Sequence, residues 1–113
     1  MDVIKIIIYA ADNGKSPFDK WREKLDNGAK TIIRVRLARI AGGDFGDHKM
    51  LIGCDGVCEL RIAYGPGYRI YYGKRGMTVV VILAGGDKGS QKRDIEKARQ
   101  YWLASKELFN EDK

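Results

Sequence analysis

Arg61, Arg69 and Tyr71 are the residues of this chain whose types and spacing suit chemistry on a phosphate. They fall in two alternating stretches, Val57–Tyr64 and Tyr68–Gly73, separated by Gly65-Pro66-Gly67. In an extended chain every second side chain shares a face. A three-residue hairpin loop at the glycine–proline–glycine segment pairs Tyr64 with Tyr68. Ala63 then opposes Arg69, and Arg61 opposes Tyr71. Cross-strand partners share a face, so Arg61, Arg69 and Tyr71 stand together with Glu59 nearby. Guanidinium forks match phosphate oxygens bidentately and stay charged at any cellular pH. A tyrosine ring can stack an unpaired base of single-stranded RNA. The competing reading pairs Arg61 with an acidic side chain and packs Tyr71 into the core; spacing alone leaves the two level.

A second segment lies further along. Gly85-Gly86-Asp87-Lys88-Gly89-Ser90-Gln91 falls where a strand gives way to a helix. Backbone amides at a helix start favour anions, and Lys88 and Gln91 project from that edge. The spacing is not that of a Walker A loop. Taken alone, the segment reads as a capped helix start with a solvated lysine. The remaining candidates are sparse. Cys54 and Cys58 are separated by three residues, and His48 is the one histidine. A structural zinc takes about four ligands, so this set falls short and no metal or cofactor is expected. Reduced thiols fit better.

The elements that must position these residues follow from local pattern. Val3–Tyr9 is β-branched and reads as a strand. Asp12-Asn13-Gly14 is a turn. Ser16-Pro17 suits a helix cap followed by a first-turn proline, with Phe18, Trp21 and Leu25 on one face. Asn27-Gly28 reads as its stop. A second helix is expected from about Ala29 to Ala41, its stripe made by Ala29, Ile32, Ile33, Leu37 and Ile40, with Gly42-Gly43 ending it. A short strand is possible at Met50-Leu51-Ile52. Met77–Ala84 is apolar at nearly every position, as for a strand covered on both faces, and Gly85-Gly86 breaks it. A last helix runs to about Leu108, burying Ile95, Ala98, Trp102 and Ser105. Asn110 to Lys113 reads as a frayed end. Helices set apart from a contiguous run of antiparallel strands argue for an α+β class.

The chain has 113 residues, 44% of them hydrophobic and 32% charged, as expected of one globular domain. Its net charge is +6, concentrated between Ala29 and Gly76. That balance suits a polyanion or an acidic protein as partner. Val3–Ala11 is apolar, but Lys5 interrupts it and Asp12 ends it. It is too short for a signal peptide or a membrane span, so a cytoplasmic location without membrane attachment is expected.

Two stretches, ELRIAYGPGYRIYY (Glu59–Tyr72) and VVVILAGGDKGSQKRDIEKA (Val79–Ala98), carry a resemblance. With SPFDKWREKLD (Ser16–Asp26) and AKTIIRVRLARIAGGDFGDHKML (Ala29–Leu51) upstream, nearly the whole chain resembles HigB-like toxins, the phage-derived addiction-module-killer branch of the RelE/ParE superfamily. The resemblance implies a RelE-like α+β domain: an antiparallel sheet of four to five strands, two N-terminal helices packed on it, and a C-terminal helix. It implies the toxin of a type II toxin–antitoxin pair, partnered by an antitoxin that is often a small helix-turn-helix protein. Many such relatives cut messenger RNA in the ribosomal A site. ParE-like relatives poison DNA gyrase instead, and a third possibility is an inactive module that only binds its antitoxin.

By the same resemblance Arg61 matches an arginine on the concave sheet face, Arg69 is the next match, and Lys88 lies at the active-site edge. Relatives place a histidine or tyrosine near the C-terminal end as general base; here His48 lies far upstream and Tyr101 lies inside the last helix. The expected chemistry is attack of a 2′-hydroxyl on the adjacent phosphate. Arg61 and Arg69 would stabilise charge there, with Lys49, His48 or Lys88 in acid–base roles. RNA contacts are expected from Tyr71, Arg61, Arg69, Lys88 and Gln91.

Overall fold

A computed structural model describes residues 3–110 of the chain. In chain order the elements are β1 (Lys5–Ile8), α1 (Pro17–Glu23), α2 (Asn27–Ala41), β2 (His48–Met50), β3 (Cys58–Ile62), β4 (Tyr68–Arg75), β5 (Val79–Asp87) and α3 (Gln91–Asn110). A 3-10 turn, Lys88–Ser90, joins β5 to α3. Glu111 to Lys113, most of the expected frayed end, lie outside the described residues.

Capping chemistry sets the helix starts. Ser16 accepts the amide of Asp19 at 3.2 Å, and Pro17 opens α1 where its missing N–H costs nothing. Asp26 accepts the amide of Ala29 at 2.8 Å. Asn27-Gly28 therefore begins α2 and does not merely stop α1, because an aspartate cap draws the two following residues into the first turn.

The class is α+β, but the sheet is mixed. Its order is β1-β5-β4-β3-β2. β2 to β5 are antiparallel neighbours, whereas β1 joins β5 in parallel. The parallel edge corrects the expectation of a wholly antiparallel sheet. The two helices between β1 and the rest of the sheet carry the chain back, so β1 meets β5 in the same direction.

The sheet is covered on both faces. On one, Phe18 of α1 and Ala29, Ile33 and Ile40 of α2 pack on Leu60, Ile62, Ile70, Tyr72, Val80 and Ile82. On the other, Ala98 and Trp102 of α3 pack on Val57, Tyr71, Val81 and Leu83. Each fully buried large side chain contributes about 1.5–3 kcal/mol. Met77 is exposed, so β5 starts at Val79 and not at Met77.

Gly85 and Gly86 do not break β5, which continues to Asp87. They are inside it because larger residues would not fit. A Cβ on Gly85 would lie 2.2 Å from Trp21, and one on Gly86 would collide with the Asp94 carboxylate. Glycine lets α1 and α3 approach the same strand from opposite faces. The short strand expected at Met50-Leu51-Ile52 sits earlier, at His48–Met50, and Ile52 is fully exposed.

Candidate functional site

The β3–β4 ladder decides which side chains meet. It ends at Ile62 opposite Tyr68, so the connecting loop spans five residues, Ala63 to Gly67. Gly67 donates to the Tyr64 carbonyl at 3.0 Å, and Gly65 and Gly67 both take positive φ. The register differs by two residues from the three-residue hairpin. Arg61 opposes Arg69, and Glu59 opposes Tyr71. A shift of two keeps every side chain on its face, so Glu59, Arg61, Arg69 and Tyr71 still stand together.

They form two rows across the face that α3 covers. One row runs Lys49, Glu59, Tyr71, Ala84. The next runs Arg61, Arg69, Gly86. The Glu59 side chain is 1% exposed, Arg69 14% and Arg61 37%. Glu59 Oε1 lies 3.7 Å from Arg61 Nε and 3.9 Å from Arg69 Nε. Its Oε2 accepts from Gln91 Nε2 at 2.6 Å. Glu59 Oε1, both Nε atoms and the Tyr71 hydroxyl are buried without a hydrogen-bond partner among the described residues. One carboxylate thus serves two guanidinium groups electrostatically and leaves hydrogen-bonding capacity unused. Asp47 adds a further, exposed carboxylate 3.8 Å from Arg61 Nε.

α3 closes this arrangement from above. Asp87 caps the 3-10 turn, accepting from Gly89 at 2.8 Å and Ser90 at 3.2 Å. Ser90 hydrogen-bonds the buried Asp94. Burial pushes the Tyr71 phenol well above its ordinary range, and the negative charges of Glu59 and Asp94 push it further. Tyr71 is fully buried, so it cannot stack a base as its position in the strand suggests. Gln91 is likewise engaged with Glu59 and holds that carboxylate in place.

Other expected residues divide between the two faces. Lys49 shares the arginine face and is exposed. Lys88 is exposed in the turn before α3. A Cβ on Gly67 would lie 3.6 Å from Arg69 Nη1 and 3.7 Å from Lys88 Cβ, which puts both cations at one corner. His48 is not with them. It opposes Leu60, pointing to the α1–α2 face, where Nδ1 lies 3.1 Å from the Tyr72 hydroxyl and the ring packs 5.2 Å from Phe45. Strand alternation separates it from its neighbour Lys49. Cys58 is buried on that same face, and burial raises its thiol pKa.

Arg36 is a residue that the sequence pattern does not single out. From α2 it donates to the Arg61 carbonyl at 2.8 Å and the Phe45 carbonyl at 3.2 Å. It ties the loop before β2 to the end of β3, and so fixes the backbone that carries Arg61. In the sequence it is one of several arginines off the apolar stripe of α2.

The site can hold an anion against two guanidinium groups whose orientation is set from beneath. An uncharacterized protein from Haemophilus influenzae is 45% identical to the chain over 83 residues, 73% of this chain and 82% of that protein. The chain belongs to that protein's family. No family model matches it. Among the described residues no helix is long and apolar enough to cross a membrane, and no group of three or more His, Cys, Asp or Glu side chains is placed to hold a metal.

Proposed function

We propose that the chain is the toxin of a type II toxin–antitoxin pair, a RelE-like member of the HigB-like branch of the RelE/ParE superfamily. It acts as an mRNA endoribonuclease on ribosome-bound message in the cytoplasm, and a small helix-turn-helix antitoxin neutralises it. The observation that carries this reading is the opposed pair Arg61 and Arg69 on one buried carboxylate.

Attack of a 2′-hydroxyl on the adjacent phosphate builds negative charge at phosphorus. Arg61, the more exposed of the pair, meets the phosphate first. Arg69 backs it from the next strand, and Glu59 with Gln91 fixes both without reaching the substrate. Donors held in advance where charge develops stabilise the transition state without reorganising. Lys49 and Lys88 flank the pair and supply further charge or proton transfer. Weak acid–base chemistry suits an enzyme whose message is oriented by the ribosome.

Expression of the wild type and of Arg61→Ala in bacteria, with mapping of message ends, tests this. New 5′ ends are expected with the wild type alone. Growth arrest without new ends would sink the nuclease reading. One observation favours a second reading, a ParE-like gyrase poison: His48 lies on the face opposite the arginines, and gyrase binding needs no base. Inhibition of supercoiling by purified gyrase separates the two.

A further inference from the structure

The sheet leaves one edge uncovered away from the arginine pair. β1 pairs with β5 only as far as Ile8 opposite Ile82, and the Tyr9 amide donates to the Ile82 carbonyl at 2.9 Å. Beyond that point β5 runs on to Asp87 paired with β4 alone, with no strand on its β1 side. A cleft of about 580 Å³ lies there between α1 and the first turns of α3, with Ala84 and Gly85 in its wall. Lys15, Lys20, Lys24, Arg93 and Lys97 line it, and all five are exposed. Among the described residues none of the five is ion-paired. Asp94 is the one acidic residue in the lining, and it is engaged by Ser90. Trp21 stands against Gly85 and gives the cleft an aromatic side.

This cleft and the arginine pair flank the same short stretch of chain. Gly86 opposes Arg69, and Gly85 before it is cleft wall. Gln91 of α3 holds Glu59, while Arg93 and Lys97 two and six residues later line the cleft. Lys88 and Lys92, both exposed, lie between. A strand of phosphates leaving Arg61 and Arg69 therefore meets Lys88, Lys92, Arg93 and Lys97 in turn round the start of α3, where Asp87 is occupied as a cap and Glu96 is paired with Arg99.

We propose that the cleft between α1 and α3 is a second nucleic-acid subsite, which binds single-stranded RNA running from the arginine pair round the start of α3, with a base against Trp21. The proposal rests on the RNA reading of the arginine pair. Unpaired lysines along a groove track a phosphate backbone, and an indole stacks any base. The indole favours RNA over an acidic peptide, which would use the lysines alone.

The test uses a fluorescein-labelled oligouridylate of about a dozen 2′-O-methyl nucleotides, which cannot be cut for want of a free 2′-hydroxyl. Its affinity is measured by anisotropy over a salt series. Lys20→Ala with Lys24→Ala, and separately Arg93→Ala with Lys97→Ala, should each weaken binding about five- to twentyfold and flatten the log–log salt slope by about 1 to 2. Lys5→Ala with Arg34→Ala, both exposed and off this path, should match the wild type. Tryptophan fluorescence should be quenched on binding and the quench lost in Trp21→Phe, because Trp102 is buried.

Cleft variants that bind like the control would overturn the cleft proposal, and a loss in Arg61→Ala in the same assay would leave the RNA reading standing. No binding by the wild type would overturn the cleft proposal, with message-end mapping left to judge the nuclease. Displacement of the oligonucleotide by polyglutamate at equal concentration would also overturn it, in favour of an acidic protein partner.

Discussion

Arg61 and Arg69 face each other directly across β3 and β4, like charge against like charge, and Glu59 beneath them supplies the counter-charge. Opposed like charges destabilise a sheet unless something offsets them. The offset here is a carboxylate 1% exposed, which by itself would be costly to bury. Each charge is tolerated because of the others, and at the solvent edge Asp47 sets a second, exposed carboxylate beside Arg61.

Loss of Glu59 should therefore be felt first as loss of stability. Glu59→Ala strands the Arg69 guanidinium, 14% exposed, without its buried partner. A destabilisation of about 3 kcal/mol is expected in chemical denaturation, since breaking a buried pair leaves an uncompensated charge. Glu59→Gln should cost less, because it keeps the shape and the contact with Gln91.

Activity should follow the guanidinium groups. Arg61→Lys keeps the charge but loses the fork, and a fall of about tenfold or more in message cleavage is expected. Thermal denaturation of the variant should stay close to wild type, because Arg61 reaches solvent. Equal loss of stability and cleavage would point to a purely structural arginine.

His48 and Lys49 are neighbours in sequence but should behave oppositely. His48→Ala removes a 3.1 Å contact with Tyr72 on the far face. It should cost about 1 kcal/mol of stability and leave growth arrest intact. Lys49→Ala should weaken arrest at unchanged stability. A plate assay beside a urea titration checks both.

Gly85 is fixed by Trp21. Gly85→Ala places a methyl 2.2 Å from the indole, and a loss of about 1–3 kcal/mol is expected. Replacing Trp21 by leucine should relieve part of that loss, so the double variant should be less destabilised than the sum of the singles.

Alkaline stability should follow Tyr71 and Tyr72. Burial raises both phenols above their ordinary pKa of 10.0. Their folded pKa lies above the unfolded one, so their contribution is complete below about pH 10 and is lost as pH rises beyond it. Denaturation midpoints should fall steeply above about pH 10, and Tyr71→Phe should flatten that fall.

Local pattern was enough for the helices and the strand faces. Ser16-Pro17 starts α1, Asp87 caps the turn into α3, and alternation puts Glu59, Arg61, Arg69 and Tyr71 on one face. These rest on residues close in the chain, where caps and side-chain period act without knowledge of the rest. The parallel entry of β1, the pairing of Arg61 with Arg69, the burial of Tyr71 and the continuation of β5 through Gly85-Gly86 were decided elsewhere. Each depends on what comes from far along the chain: α3 over Tyr71, Trp21 over Gly85, Asp94 over Gly86. A glycine pair reads as a break until a tryptophan from another helix occupies the space where its side chain would be.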